Sequence, residues 1–247
     1  MNIRRTTAIA AATCVALAGA AVAQDAHWTY EGDEGPEHWG ELSEEFEACA
    51  GGAQQSPIDI ETPVNADVAP VAPDWSDDVE WTVENNGHTV QATPEGEAGG
   101  FDLNGTHYEL AQFHFHHPSE HAVDGERFPL EAHFVHLGED GTIAVVGVML
   151  DGGGATGPLD RIMQAATDGD SDIGTIDPAD LLPEAAASFR YEGSLTTPPC
   201  SEVVHWIVMR DHVEVSNAAV AAFTELYPSD ARPLQPLNRR IVLSSGG

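Results

Sequence analysis

Short runs rich in β-branched and aromatic residues, separated by tight-turn sequences, are the feature that most limits what this chain can fold into. Asn104-Gly105 lies between two such runs, and both residues tolerate the positive φ that a two-residue hairpin requires. The run at 142–150 is apolar on both faces, which is typical of a central strand. Further strands are predicted at 79–84, 88–93, 101–103, 106–116, 131–137 and 203–209.

Helical patterns are scarcer and occur in three segments. They lie at 158–166, 178–188 and 216–227, the last with Ser216 as N-cap and Pro228 beyond its end. No internal repeat, low-complexity block or change in composition marks a linker. The sequence therefore predicts one mainly β domain over residues 24–247, with peripheral helices and long loops.

The first 23 residues have the composition of a secretory signal peptide. Arg4 and Arg5 supply the charged start, 6–19 is mostly small and apolar, and 21–23 (AVA) matches the small-x-small cleavage pattern. A membrane anchor is the alternative, but the apolar run is too short and too rich in alanine to favour it. We therefore expect export to the periplasm or the medium, with a mature chain from about Gln24 that has no membrane span.

Acidic residues dominate the mature chain. Without Arg4 and Arg5, seven of the nine basic residues remain against 41 acidic ones, a formal charge of −34, and lysine is absent. Nucleic acids and anionic membranes are not expected partners, because such a surface repels both. The charge serves either solubility or adaptation to salty water, where ions screen repulsion within a Debye length of about 8 Å or less. The absence of lysine favours the second explanation.

Two cysteines remain once Cys14 is assigned to the signal peptide. An even pair in an exported chain, Cys49 and Cys200, is typical of one disulfide bond. Two buried free thiols are the alternative.

Three histidines on two predicted strands form a candidate metal site. His114 and His116 alternate with Phe113 and Phe115, so their imidazoles project from one face of a strand. His133 lies in the next predicted strand, which can return antiparallel beside the first. Three imidazoles suit zinc and leave its fourth position open for water. A single His-x-His pair is more often incidental, so the neighbouring residues decide the interpretation.

Four of those neighbours have side chains that suit supporting roles. Gln112 and Glu131 each lie two residues before a proposed ligand, on the same face of its strand, where either can accept the second N–H of an imidazole. Glu120 follows the first ligand strand closely and can accept a hydrogen bond from a hydroxyl, for which Thr196 is the candidate. Taken alone, Glu120 is a surface acid and Thr196 a loop residue.

Together these segments resemble the alpha-class carbonic anhydrases. The resemblance extends over roughly residues 27–243, and its motifs occur in the same order as in the family. Chance does not place so many motifs in one order. The matching segments are 112–116 (QFHFH), 119–121 (SEH), 131–136 (EAHFVH) and 193–199 (GSLTTPP), flanked by 27–30 (HWTY), 35–40 (GPEHWG), 55–60 (QSPIDI), 85–88 (NNGH) and 232–238 (RPLQPLN).

The resemblance implies reversible hydration of carbon dioxide to bicarbonate and a proton, with one Zn²⁺ per chain and zinc-bound hydroxide as the nucleophile. It implies zinc ligation by His114, His116 and His133, orientation of the hydroxide by Thr196 and Glu120, and proton transfer through His88. The remaining implied roles are outer-shell support by Gln112 and Glu131, ordering of proton-wire water by Tyr30, Asn86 and Gln91, and a substrate pocket formed by Val135, Val145, Leu195, Thr197, Val204 and Trp206. Ordinary core packing is the alternative for the apolar pocket residues.

The family fold is a large, twisted, mostly antiparallel central sheet, which agrees with the strand pattern. The resemblance also implies a disulfide between Cys49 and Cys200, cis peptides before Pro57 and Pro199, inhibition by sulfonamides and anions, and a homodimer. His117-Pro118 and the short path to Glu120 resemble the bacterial branch, and Gln91 replaces the asparagine common in the animal enzymes. A non-catalytic binding module of the same family, and a periplasmic zinc carrier, are the rival functional classes.

Overall fold

The computed structural model describes residues 26–169 and 171–245, so the predicted signal peptide lies outside the described residues. None of its described helices is both long enough and apolar enough to cross a membrane. The helices are α1 (Trp39–Leu42), α2 (Glu47–Gly51), α3 (Pro158–Asp168) and α4 (Asn217–Leu226). The strands are β1 (Asp59–Ile60), β2 (Val64–Ala66), β3 (Asp74–Trp75), β4 (Glu80–Asn85), β5 (Val90–Pro94), β6 (Gly99–Leu103), β7 (Thr106–His116), β8 (Ala122–Val123), β9 (Leu130–Gly138), β10 (Ile143–Gly152), β11 (Asp172–Thr175), β12 (Ser188–Gly193), β13 (Val204–Met209), β14 (Val213–Val215) and β15 (Leu243–Ser245).

A mixed sheet of 13 strands forms the body of the molecule, in the order β11-β4-β5-β7-β9-β10-β13-β12-β15-β2 with β3, β6 and β14 attached beside this path. Most pairs are antiparallel, whereas β13 and β14 run parallel to β10, and β2 runs parallel to β15. The prediction of a β-dominated fold with a large, mostly antiparallel sheet is therefore confirmed. The apolar run at 142–150 is β10, one of the central strands, as its two-sided pattern predicts.

One of the three predicted helices is wrong. In place of a helix at 178–188, the chain makes a short 3-10 turn at Pro178–Leu181, and Leu182 is already extended. The cause is Pro183, because a proline disfavours helical backbone in the residue before it. Ser188 instead begins strand β12, which the sequence analysis missed. The other two helices are confirmed as α3 and α4, and the Ser216 hydroxyl caps α4 by accepting from the N–H of Ala219.

The two faces of β7 have opposite chemistry. Phe113 and Phe115 are fully buried and pack in the main apolar core, which also contains Phe134 of β9 and Phe223 of α4. Burial of each of these rings stabilises the fold by roughly 1.5–3 kcal/mol. The intervening residues of β7 point to the opposite face, so the packing that covers one side of the strand orients His114 and His116 on the other.

Candidate metal centre

His114, His116 and His133 converge on one face of the sheet. His114 lies directly opposite His133 in the antiparallel pairing of β7 with β9, as their spacing predicts. One ring nitrogen from each of the three imidazoles lies within 4.8 Å of the others. His116 and His133 are buried and His114 is partly buried. The three side chains therefore surround a common point.

The outward nitrogen of each imidazole faces an oxygen. His114 Nδ1 is 2.8 Å from Gln112 Oε1, and His133 Nε2 is 2.9 Å from Glu131 Oε1, as expected of these two neighbours. His116 Nδ1 donates to the backbone carbonyl of Asp230 at 2.8 Å. Sequence reasoning missed this third acceptor, because Asp230 lies 114 residues from His116 and no local pattern joins them.

Burial keeps two of the imidazoles in the neutral form that binds metal. Desolvation, followed by repulsion from His116 and His133, lowers the pKa of His114 well below its ordinary value. Desolvation also lowers the pKa of His133, despite attraction to Glu131. Burial by itself raises the pKa of Glu131, but attraction to His121 and His133 outweighs it and lowers that pKa far below normal. A carboxylate is thus held ionised behind a neutral ligand.

The residues fit zinc. His116 Nε2 is buried and has no hydrogen-bond partner among the described residues, and such an orphaned nitrogen is rare unless another group satisfies it. Three imidazole nitrogens are a preferred donor set for zinc, with a fourth position left for water. His121, Glu131 and His133 form a second close group, in which Glu131 Oε1 lies between the two imidazoles, 2.8 Å from His121 Nδ1 and 2.9 Å from His133 Nε2.

Glu120 and Thr196 are both buried, and Glu120 lies beside the ligands. Glu120 Oε1 accepts from the backbone N–H of Arg232 at 2.8 Å, whereas Oε2 has no hydrogen-bond partner among the described residues and lies 3.5 Å from His116 Nε2. Thr196 is 5% exposed. No hydrogen bond joins Thr196 to Glu120, although the carboxylate has one acceptor oxygen free for it.

A buried polar chain that the sequence analysis missed extends from Glu131 to the loop before Thr196. His121 Nδ1 lies 2.8 Å from Glu131 Oε1, and its Nε2 lies 2.6 Å from the hydroxyl of Tyr191. That hydroxyl is 2.9 Å from Ser56 Oγ, which accepts from the N–H of Ser194 at 3.1 Å. The outer side of the metal centre and the start of the Thr196 loop therefore share one network. Its members lie up to 138 residues apart, so no local signal reveals it.

A glycine permits this close packing. A Cβ atom on Gly193 would lie 2.3 Å from Ser56 Oγ and 2.8 Å from atoms of both Tyr191 and Trp206. Any larger residue would push apart Ser56, Tyr191 and Trp206.

Five of the six predicted pocket residues belong to one apolar cluster, and one of them, Trp206, lies beside a ligand histidine. Val145, Val204 and Trp206 are buried in one apolar cluster, against which Val135 and Leu195 pack. The Trp206 ring lies 4.8 Å from the His133 ring, centroid to centroid, so this cluster forms a wall of the metal centre. Thr197 lies one residue beyond Thr196, and its carbonyl accepts from the N–H of Cys200 at 2.9 Å.

His88 lies in the turn between β4 and β5, partly exposed, with its ring stacked on Trp28 at 3.8 Å. Partial burial, together with repulsion from His27, lowers its pKa. Asn86 accepts from the N–H groups of His88 and Thr89 through Oδ1, which leaves its amide nitrogen for water. Of the other two residues assigned to water, Gln91 pairs with His114 in the register of β5 and β7, and Tyr30 packs edge-on against Trp28 and Trp39.

A disulfide bond holds the Thr196 loop, and a buried arginine holds the segments around it. The predicted disulfide between Cys49 and Cys200 is present and joins α2 to the loop. Arg232 is 1% exposed, and its guanidinium donates to the carbonyls of Cys49 and Ser56. Its backbone N–H donates to the carboxylate of Glu120. The peptides before Pro57 and Pro199 are cis as expected, and the one before Pro118 is cis as well.

Comparison with known proteins identifies the family. A model of the eukaryotic-type carbonic anhydrases matches residues 34–246. A carbonic anhydrase of Neisseria gonorrhoeae is 40% identical over 247 residues, 98% of this chain and 97% of that protein. One of Nostoc sp. is 41% identical over 237 residues, 90% of this chain and 88% of that protein. The solved alpha-carbonic anhydrase of Thermovibrio ammonificans, in complex with sulfanilamide, has a TM-score of 0.83 and 44% identity, and covers 89% of this chain and 100% of its own. The chain therefore belongs to the eukaryotic-type, or alpha-class, carbonic anhydrases and is an enzyme of that family.

Proposed function

We propose that this protein is a zinc-dependent carbonate dehydratase that catalyses the reversible hydration of carbon dioxide to bicarbonate and a proton. The observation that supports this most directly is the convergence of three imidazoles whose outward nitrogens each lie 2.8–2.9 Å from an oxygen of Gln112, Asp230 or Glu131. His114, His116 and His133 would hold the ion. When bound, zinc supplies a Lewis acid that lowers the pKa of water to about 7, so that a nucleophile exists at neutral pH.

Two residues orient the attacking oxygen in this proposal. The hydroxyl of Thr196 would donate to Glu120 Oε2, which has no hydrogen-bond partner among the described residues, and would so present its own oxygen as an acceptor toward the nucleophile. Glu120 stays in place because the N–H of Arg232 holds its other oxygen. A fixed acceptor at this point leaves one lone pair of the nucleophile directed at the substrate.

The substrate lies against the apolar wall. Carbon dioxide is small and has no net dipole, so a surface of Val145, Val204 and Trp206 beside His133 binds it without requiring a buried polar partner. Val135, Leu195 and Thr197 complete the lining. The relative from Thermovibrio ammonificans binds sulfanilamide, and we propose that sulfonamides and small anions inhibit this enzyme at the same place.

His88 removes the proton released in each cycle. Its lowered pKa keeps the imidazole neutral, and hence able to accept a proton, at neutral pH. Its partly exposed position lets it pass that proton to solvent. Asn86, Gln91 and Tyr30 hold the water through which the proton travels.

A His88→Ala variant is expected to turn over about tenfold or more slowly in dilute buffer, because general acid–base groups contribute on this scale and water alone must then carry the proton. Added imidazole should restore much of the rate, and kcat/KM should stay near the wild-type value because carbon dioxide is converted before the proton leaves. Stopped-flow kinetics at several imidazole concentrations measure both. A loss that imidazole does not relieve would assign His88 a structural role instead.

A stopped-flow assay of carbon dioxide hydration on the zinc-loaded protein, with and without a sulfonamide, tests the function itself. Catalysis blocked by the inhibitor is expected. A non-catalytic binding module would bind the inhibitor without turnover, and a zinc carrier would release zinc readily to a chelator and show no turnover. Either result would contradict the proposal.

The acidic composition supports adaptation of the protein to a salty environment. Raising sodium chloride from 0.1 to 1 M shortens the Debye length from about 10 to about 3 Å and weakens the repulsion among the acids. We therefore expect the melting temperature of the mature chain to rise by several degrees over this range, measured by calorimetry. A melting temperature indifferent to salt would leave solubility as the explanation. The homodimer stays a prediction for solution measurements of mass.

A further inference from the structure

Tyr227, the residue that follows α4, contacts the turn that presents His88. We call the segment 85–89 the His88 turn. The Tyr227 hydroxyl lies 2.5 Å from Oδ1 of Asn85, the first residue of the turn, and 3.1 Å from the carbonyl of Thr89, the last. The phenol has a single proton, so Asn85 is its main acceptor and Thr89 a longer second contact. One hydroxyl thus holds both ends of the turn.

The other anchor of the His88 turn is on the ligand strand. The Thr89 hydroxyl donates to the carbonyl of Phe115, which lies between His114 and His116 in β7. These two anchors set the distance between the backbone of His88 and the metal centre. The stacking of Trp28 on His88 restrains the ring but does not hold the backbone.

Tyr227 is itself held on the core. Its N–H donates to the carbonyl of Phe223, and the two rings pack with centroids 5.4 Å apart. Phe223 contacts Phe115 on the apolar face of β7, at 6.1 Å between ring centroids. The pKa of Tyr227 is raised to about 12 by partial burial and by Asp230, so its hydroxyl remains a donor at neutral pH. Helix α4 therefore links the buried face of the ligand strand to the His88 turn.

We propose that Tyr227 is a positioning residue for proton transfer, whose hydroxyl fixes the His88 turn at the distance from the metal centre that the shuttle needs. The proposal rests on the proton-shuttle role given to His88. Misplacement of a reacting group by about 1 Å can cost up to a hundredfold in rate. A loosened turn that samples several positions should cost less than removal of the imidazole.

The alternative is that Tyr227 only packs the end of α4. Tyr227→Phe separates the two, because it keeps the ring contact with Phe223 and removes the contacts with Asn85 and Thr89. Asn85→Ala removes the main acceptor from the other side. Tyr108→Phe is the matched control: its hydroxyl is 2.7 Å from Thr142 Oγ1, in another hairpin.

The experiment measures kcat and kcat/KM for carbon dioxide hydration in the zinc-loaded wild type, Tyr227→Phe, Asn85→Ala, Tyr108→Phe, His88→Ala and the double variant Tyr227→Phe/His88→Ala. In dilute buffer we expect Tyr227→Phe and Asn85→Ala to lower kcat about threefold to tenfold with kcat/KM unchanged, and imidazole to restore it. Tyr108→Phe should match the wild type. The double variant should have the same kcat as His88→Ala, because the position of the turn has no effect on proton transfer once the imidazole is absent.

Three outcomes would overturn the proposal. The first is wild-type kcat in Tyr227→Phe while His88→Ala shows its buffer-dependent loss. This result contradicts the positioning role of Tyr227 and leaves the shuttle role of His88 intact. The second is a defect that persists in high imidazole or in the His88→Ala background, which indicates a general structural effect. The third is a His88→Ala variant without any buffer-dependent loss, which contradicts both the shuttle role of His88 and the positioning role of Tyr227.

Discussion

A His114→Ala variant is expected to contain almost no zinc and to lose carbon dioxide hydration at least a thousandfold. Two imidazoles remain, whereas a catalytic zinc site needs three protein ligands. Without the ion the pKa of water stays far above neutrality, so the nucleophile is nearly absent at neutral pH. Metal analysis of the purified variant and stopped-flow kinetics measure the two effects separately, and circular dichroism checks the fold.

His107 provides a matched control for this substitution. It lies on the same strand, is exposed, and contacts Asp102 at 3.0 Å. His107→Ala should keep wild-type zinc content and activity. Full activity in zinc-free His114→Ala would contradict the ligand assignment, and equal losses in both variants would show that β7 as a whole is sensitive to substitution.

Replacement of both disulfide cysteines, Cys49→Ser with Cys200→Ser, is expected to lower the free energy of unfolding by about 5 kcal/mol in the chain-entropy model. The bond joins residues 151 positions apart, so its loss frees a very long loop in the unfolded chain. Domains are typically stable by only 5–15 kcal/mol, so this is a large share. Urea unfolding of the zinc-loaded variant measures the change.

The wild-type protein treated with a reductant is the internal comparison for this prediction. It should unfold at the same urea concentration as the double variant, because both lack only the cross-link. In the absence of urea, the double variant should keep most of its turnover despite the lost stability. Arg232 still donates to Glu120 through its backbone N–H and to the carbonyl of Cys49 through its guanidinium. Equal stability of the oxidised and reduced proteins would contradict the entropic account.

The sequence was informative wherever a local pattern determines the structure. Alternation in β7 and β9 predicted the strands and the common face of the histidines, because side-chain direction in a strand has a period of two. Gln112 and Glu131 were found for the same reason. The failure at 178–188 is also local: Pro183 was present, and its effect on Leu182 outweighed the helical composition of the segment.

The contacts that escaped prediction join residues far apart in the chain. The carbonyl of Asp230 accepts from His116, the hydroxyl of Tyr191 lies beside His121, and the hydroxyl of Tyr227 contacts Asn85. The partners are 70 to 142 residues apart in the sequence. Nothing in the neighbouring sequence marks these residues, because a carbonyl oxygen or a hydroxyl is available at almost every position. Only the folded arrangement of α4, β7 and β12 selects which of them matter.

The alternation of phenylalanine and histidine along β7 makes the core and the ligand set depend on one pairing register. If β7 pairs with β9 one residue out of register, Phe113 and Phe115 turn outward and the imidazoles turn into the core. The same error that dismantles the ligand set therefore removes two large rings from the apolar core. A chain that buries both phenylalanines correctly has, by the same pairing, already brought its imidazoles to the metal centre.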